Sequence, residues 1–227
     1  MRLDKFVAKS TELSQCDLLH CIQRGEVSVN GEVVTKAAQQ VHENNQICLK
    51  GVRLQPRPFR YLLMHKPAGT ICSNIDEAYP SLFTGLEIDK CSELHIAGRL
   101  DADTTGLVLI TDDGRWSFDI TRPSKACHKV YRVCLSQALS GERAKELSEQ
   151  FEHGIMLQGE SQLTLPATLQ VITPTEVLLT LTEGKFHQVK RMFAAVGNRV
   201  MALHREQIGA VYLDVEVGHW RYLTHQE

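Results

Sequence analysis

Asp101 and Arg99 stand in the stretch from Gly98 to Gly114, where polar residues interrupt an otherwise apolar core segment. His95 to Leu100 reads as an apolar entry and Asp101 to Gly106 as a polar loop. Leu107 to Thr111 follows as a buried strand, stopped by the turn Asp112-Asp113-Gly114. A loop held between two core segments is a rigid mount. If the entry is extended, the Asp101 carboxylate and the Arg99 guanidinium project to one side. An adjacent cation keeps a carboxylate ionised, as a nucleophile or a general base requires. Asp103, Asp112 and Asp113 read instead as turn residues. Asp101 fits that description less well, because Leu100 and the run Leu107 to Ile110 partly bury its surroundings, where an unpartnered charge is costly.

Three further segments carry polarity that packing does not require. His65 to Thr70, with Lys66 and Pro67, turns the chain sharply after the apolar run Tyr61 to Met64. Lys129 and Tyr131 alternate with Val130 and so share one face of a strand. Glu183 to Phe193 opens a helix with Lys185, Lys190 and Arg191. Unpaired N–H groups and the helix dipole add to those charges, so phosphate is the expected guest. Taken singly, Tyr131 is a half-buried strand tyrosine, Lys190 a solvated helix charge, and His187 and Gln188 helix caps. Their joint occurrence with Asp101 is what points to a site.

The elements that must position these residues are short. Tyr61–Met64, Leu107–Ile110, Lys129–Val133, Leu169–Ile172 and Glu176–Leu181 read as strands; helices are expected over Trp116–Ile120, Ser140–His153 and His187–Val196. The class is α+β, with a largely antiparallel mixed sheet flanked by helices. Upstream, Leu3, Phe6 and Val7 recur at helical spacing. Ser14 with Asp17 resembles a capping box for a second helix reaching about Arg24, which Gly25 ends. Val27 to Val34 is a hairpin signal with Asn30-Gly31 at its turn, and Ile47 to Leu49 is another strand. Pro56 and Pro58 then mark a linker over 56–60, which divides a small unit, 1–55, from a large one, 61–227.

At 227 residues with a 43% hydrophobic fraction, the chain can fill a real core. No apolar run is long enough to span a bilayer and the first residues carry no hydrophobic signal region, so a cytoplasmic protein is expected. Seven cysteines without a C-x-x-C pair indicate neither a disulfide framework nor a zinc site, and most read as small buried hydrophobes. The net charge of −2 alone argues against a nucleic-acid partner, but its distribution does not. Residues 1–60 hold nine Lys/Arg against six Asp/Glu, while the remainder is acidic.

The N-terminal pattern of Arg2-Leu3-Asp4-Lys5-Phe6, a helix, then Arg24 to Val34 resembles the S4 RNA-binding domain. Arg2, Lys5 and Arg24 match the bases with which that family contacts RNA phosphates. Gln15 stands where the family often has Arg, which implies weaker docking or docking shifted to Arg53, Arg57 and Arg60. Downstream, Tyr61–Cys72, Gly98–Gly114, Lys129–Val133 and Glu183–Phe193 resemble, in order, the signature regions of pseudouridine synthases, in the branch with an N-terminal S4 domain that acts on small-subunit ribosomal RNA.

The resemblance implies that the chain isomerises a uridine of 16S ribosomal RNA, uridine 516, without cofactor, metal or nucleoside triphosphate. Asp101 matches the essential aspartate, as nucleophile at the ribose or as the base that starts glycal formation. Tyr131 matches the tyrosine that stacks under the target base, and Lys190 the cation that pairs with the aspartate. Arg99 matches the arginine that fills the space left by the flipped nucleotide, and Val189 the residue that packs beside the base. Lys66, Lys129, His187, Gln188 and Arg191 fall in signature segments and are expected on RNA. The weak basicity of the small unit implies a folded or partly assembled ribosomal particle as substrate, met by a monomer. A large-subunit ribosomal RNA synthase of the same branch is the runner-up. A non-catalytic assembly factor is disfavoured, since a carboxylate facing phosphate would repel RNA. A glycoside hydrolase would need a second carboxyl group, for which Asp103 is the only close candidate.

Overall fold

The computed structural model describes residues 1–42 and 44–227, which form two compact units, Met1–Pro58 and Phe59–Glu227. In the first, α1 (Leu3–Ser10) turns Leu3, Phe6 and Val7 onto the buried Leu18 and Ile22 of α2 (Gln15–Gln23). The capping box is made in one direction only. Asp17 N–H donates to Ser14 Oγ at 3.2 Å, and the Ser14 hydroxyl then donates to the Asp17 carboxylate at 2.6 Å. Four short strands, β1 (Val27–Val29), β2 (Glu32–Val33), β3 (Ile47–Leu49) and β4 (Val52–Arg53), pair in the order β2-β1-β3-β4. Asn30 and Gly31 both take positive φ, as the expected type I′ turn demands. Lys50 and Gly51 repeat that turn before β4, a strand too short for its pattern to be read.

The second unit is built on one nine-stranded sheet, ordered β13-β5-β7-β11-β8-β10-β9. Its long strands are β5 (Tyr61–Lys66), β7 (Thr105–Thr111), β8 (Lys129–Leu135), β9 (Thr168–Thr173), β10 (Glu176–Leu181) and β11 (Val200–Ile208). Three short ones, β6 (His95–Ala97), β12 (Val211–Tyr212) and β13 (Trp220–Tyr222), pair with β7, β11 and β5. Every pairing is antiparallel except that of β7 with β11. The helices are α3 (Gly114–Thr121), α4 (Gly141–His153) and α5 (Gln188–Ala195). Val108 and Ile110 of β7 join the larger core with Phe151 and Phe193, whereas Leu107 and Leu109 face Trp116 and Ile120 of α3. Burial on both faces explains why β7 reads as a continuous apolar run.

Asp112 and Asp113 do more than turn the chain. Asp112 holds Arg60 through Nε at 3.0 Å, and Asp113 caps α3 by accepting from Arg115 N–H at 2.9 Å. The cysteines depart from expectation: Cys16 is exposed and the other six are half-buried. Among the described residues no helix is long and apolar enough to cross a membrane.

Candidate active site

The loop that carries Asp101 is tied down by backbone carbonyls given to two buried cations. Lys66, with no exposed surface, donates to Pro67 O at 3.0 Å, Ala102 O at 3.2 Å and Thr104 O at 2.8 Å. Arg205 of β11, 1% exposed, donates to Gly98 O at 2.6 Å and to Leu107 O at 2.7 Å. Burial lowers the Lys66 pKa. Gly106 lets this happen. A Cβ there would lie 2.3 Å from the Arg205 carbonyl oxygen, and the backbone φ of +111° is itself unfavourable for an L side chain.

Asp101 projects from this mount with 28% of its side chain exposed. Its Oδ2 accepts from Lys190 Nζ at 2.9 Å, and its Oδ1 lies 3.4 Å from His187 Nε2. Lys190 also donates to Asp103 Oδ1 at 2.6 Å. Burial works against the Lys190 ammonium, yet its hydrogen bonds to Asp103 and Asp101 raise its pKa and keep it a cation. The hydrogen bond from Lys190 lowers the Asp103 pKa in turn. The anion at the start of α5 is therefore a pair of the chain's own carboxylates. His187 reaches the site because its backbone is left-handed, φ 49°, immediately before the helix.

Tyr131 is 7% exposed and lines the cleft that holds Asp101, together with Cys72, Arg99, Lys129 and Phe186. Its hydroxyl accepts from Arg205 at 3.3 Å, and the guanidinium lies 5.8 Å from the ring centroid. Arg205 thus joins Tyr131 to the Asp101 mount. Sequence reading missed this residue. Its only trace was an arginine amid Leu203, Ile208 and Gly209, with no strand recognised around it.

Several expected contacts are corrected by the geometry. Arg99 lines the cleft but makes no ion pair with Asp101 among the described residues. The segment from Arg99 to Asp101 is flanked by Gly98 at φ 89° and by the turn that Thr104 N–H closes on Asp101 O. The cation beside Asp101 comes from α5 instead. Lys66 is enclosed and cannot reach RNA. Lys129 is 4% exposed, with Nζ on Cys127 O at 3.1 Å, and burial lowers its pKa. Gln188 is buried and wires its own turn: its Oε1 accepts from Lys185 N–H at 2.8 Å and its Nε2 donates to Glu183 at 2.7 Å. Val189 belongs to the main core. Arg191 is spent on Glu160 at 3.1 Å and on Gln158 O at 2.7 Å. Lys185 also pairs with Glu160, at 3.0 Å. Asp103 is drawn into the site by Lys190.

In the smaller unit Arg2, Lys5 and Arg24 are all exposed, and Arg2 also pairs with Asp4 at 2.6 Å. Arg60, an alternative docking base, is committed to Asp112. What the arrangement offers chemically is a carboxylate between an ammonium and an imidazole, open on one side to a cleft with a tyrosine wall.

Residues 60–195 match the family of RNA pseudouridylate synthases. Over its whole length the chain is 47% identical to the ribosomal small subunit pseudouridine synthase A of Vibrio cholerae, covering 97% of that protein. It is 46% identical to the protein of the same name from Escherichia coli K12, covering 98% of it. Among solved structures, a pseudouridylate synthase is 40% identical and superposes with a TM-score of 0.70, covering 100% of this chain and 97% of that one. The chain belongs to the RNA pseudouridylate synthase family.

Proposed function

We propose that this protein converts a uridine of small-subunit ribosomal RNA to pseudouridine, with uridine 516 of the 16S molecule as the target and Asp101 as the catalytic carboxylate. The observation that carries the proposal is the pairing of Asp101 with Lys190 at the open edge of the Tyr131 cleft, in a chain that matches small-subunit synthases from end to end. In the reaction the N1–C1′ bond breaks, the uracil turns, and a C5–C1′ bond forms; C5 loses its proton and N1 gains one. Asp101 acts at the ribose as nucleophile or as base, and Tyr131 stacks under the uracil. Lys190 balances the carboxylate. His187 offers a second hydrogen-bonding partner to the other oxygen.

Arg99, exposed at the cleft wall without a carboxylate partner among the described residues, is placed to meet the RNA where the nucleotide leaves the stack. The unit 1–55 serves as an S4-like docking domain, with Arg2, Lys5 and Arg24 on phosphates, followed by the linker 56–60 and the catalytic domain 61–227. Its modest basicity fits a folded or partly assembled particle as substrate. Tritium release from [5-³H]uridine-labelled small-subunit particles tests the activity. Mapping pseudouridines in both ribosomal RNAs of a deletion strain tests the target. Loss at a large-subunit position with 16S RNA unchanged would reassign the substrate. Undiminished release by Asp101→Ala would remove Asp101 from its role.

A further inference from the structure

The signature segment leaves Phe186 unexplained. It is 75% exposed, the most exposed large hydrophobic side chain of the second unit, yet it lies at the cleft rather than on a remote surface. Its ring stacks on His187, centroids 3.7 Å apart and planes inclined by 22°. His187 in turn stands 3.4 Å from Asp101. Phe186, His187 and Asp101 therefore form a step from solvent to the proposed reacting carboxylate. One face of Phe186 is covered by the imidazole; the rest is open. The bases of its own segment are already engaged, Lys185 and Arg191 by Glu160 and Lys190 by the two aspartates. Besides the guanidinium of Arg99 on the cleft wall, what this edge offers is an aromatic face.

A neutral, flat, unstacked group is the ligand that such a surface fits. Extruding a uridine leaves its neighbours without a stacking partner, and an aromatic ring restores one. We propose that Phe186 is a stacking platform for an unpaired nucleobase adjacent to the target uridine, a binding subsite distinct from the pocket of the reacting base. The platform is held at the cleft by the left-handed backbone of His187 and by the hydrogen bond of the Phe186 carbonyl with Arg191, 2.9 Å. The inference rests on the RNA-modifying function proposed above.

Steady-state tritium release from reconstituted small-subunit particles tests it with Phe186→Ala, Phe186→Leu and Phe186→Trp. Loss of one base stack raises KM on the order of tenfold in the Ala and Leu variants, while Trp restores it and kcat stays within about twofold. The melting temperature stays unchanged, because the truncated ring is mostly in solvent. Splint-ligated RNA with an abasic nucleotide on either side of the target identifies the partner: at one side the lesion raises KM for the native chain but not for Phe186→Ala. Native KM in Phe186→Ala, equal loss in Trp, or lesions that act equally on both proteins overturn the platform. Absence of turnover by the native chain overturns instead the underlying function.

Discussion

Strand β7 is bracketed by two acidic pairs, Asp101 with Asp103 before it and Asp112 with Asp113 after it, and its two ends use the same side chain in opposite ways. At the far end, the Asp112 side chain is 4% exposed and locked to Arg60, while Asp113 caps α3 and accepts from Tyr61 OH at 2.9 Å. At the near end, Asp101 and Asp103 share one lysine and keep 28% and 72% of their side chains exposed. A carboxylate saturated by protein donors stabilises a fold; one left partly open is available to a substrate. The difference lies in the neighbours rather than in the residue.

The sharpest way to break the comparison is to truncate one carboxylate from each end. Asp101→Ala is expected to lower tritium release roughly a thousandfold or more while RNA binding and thermal unfolding stay near native. Asp112→Ala is expected to cost about 1 to 2 kcal/mol in denaturant titration, because Arg60 loses its closest carboxylate and keeps only Glu93 at 4.0 Å and the carbonyls of Asp89 and Lys90, with turnover per folded molecule unchanged. If the two variants exchanged these effects, the division of roles would be wrong.

Smaller effects sharpen the near end. Lys190→Met removes a charge-assisted hydrogen bond worth about 2 kcal/mol, so single-turnover rates should fall roughly thirtyfold, with Lys190→Arg recovering most of the loss. A loss of stability without a loss of rate would make Lys190 a structural residue. Asp103 supplies the weakest test. Its native pKa is depressed by Lys190, so its stabilisation is full above the unfolded carboxylate value of about 3.9 and disappears as pH falls through the lower native value. The side chain is largely solvated, so the unfolding free energy from urea titrations should fall slightly less between pH 5 and pH 3 in Asp103→Asn, by about a few tenths of a kcal/mol.

The near end was also the more legible. Asp101 stood out because its polarity contradicted its apolar flanks, and α5 was marked by its bases and by Gly197 beyond it. Several polar residues of the signature segments were misassigned for one physical reason: such a side chain looks alike in sequence whether it faces RNA or its own chain. Lys66 is held by Thr104 O, Gln188 by Glu183 and Arg191 by Glu160. β11 escaped recognition because its alternation is broken by irregular pairing at Val200/Ala202 and Arg205/Gln207, and because one of its two most buried residues is an arginine. A charge at a core position carries no apolar signal. Only the acceptors supplied by Gly98 and Leu107, folded against it, make sense of Arg205.

The single parallel pairing in the sheet has a consequence for when the protein can work. Arg205 grips Leu107 across 98 positions of chain, so the mount of Asp101 is unfinished until β11 has been made. A parallel partner cannot arrive by a hairpin; the intervening α3, β8, α4, β9, β10 and α5 must exist first. At roughly 5 to 20 residues per second, translation of that interval leaves the loop without its buried arginine for some 5 to 20 seconds. Each newly made chain thus passes through a stage in which its carboxylate is present but its site is not, and competence comes with the closing of the sheet.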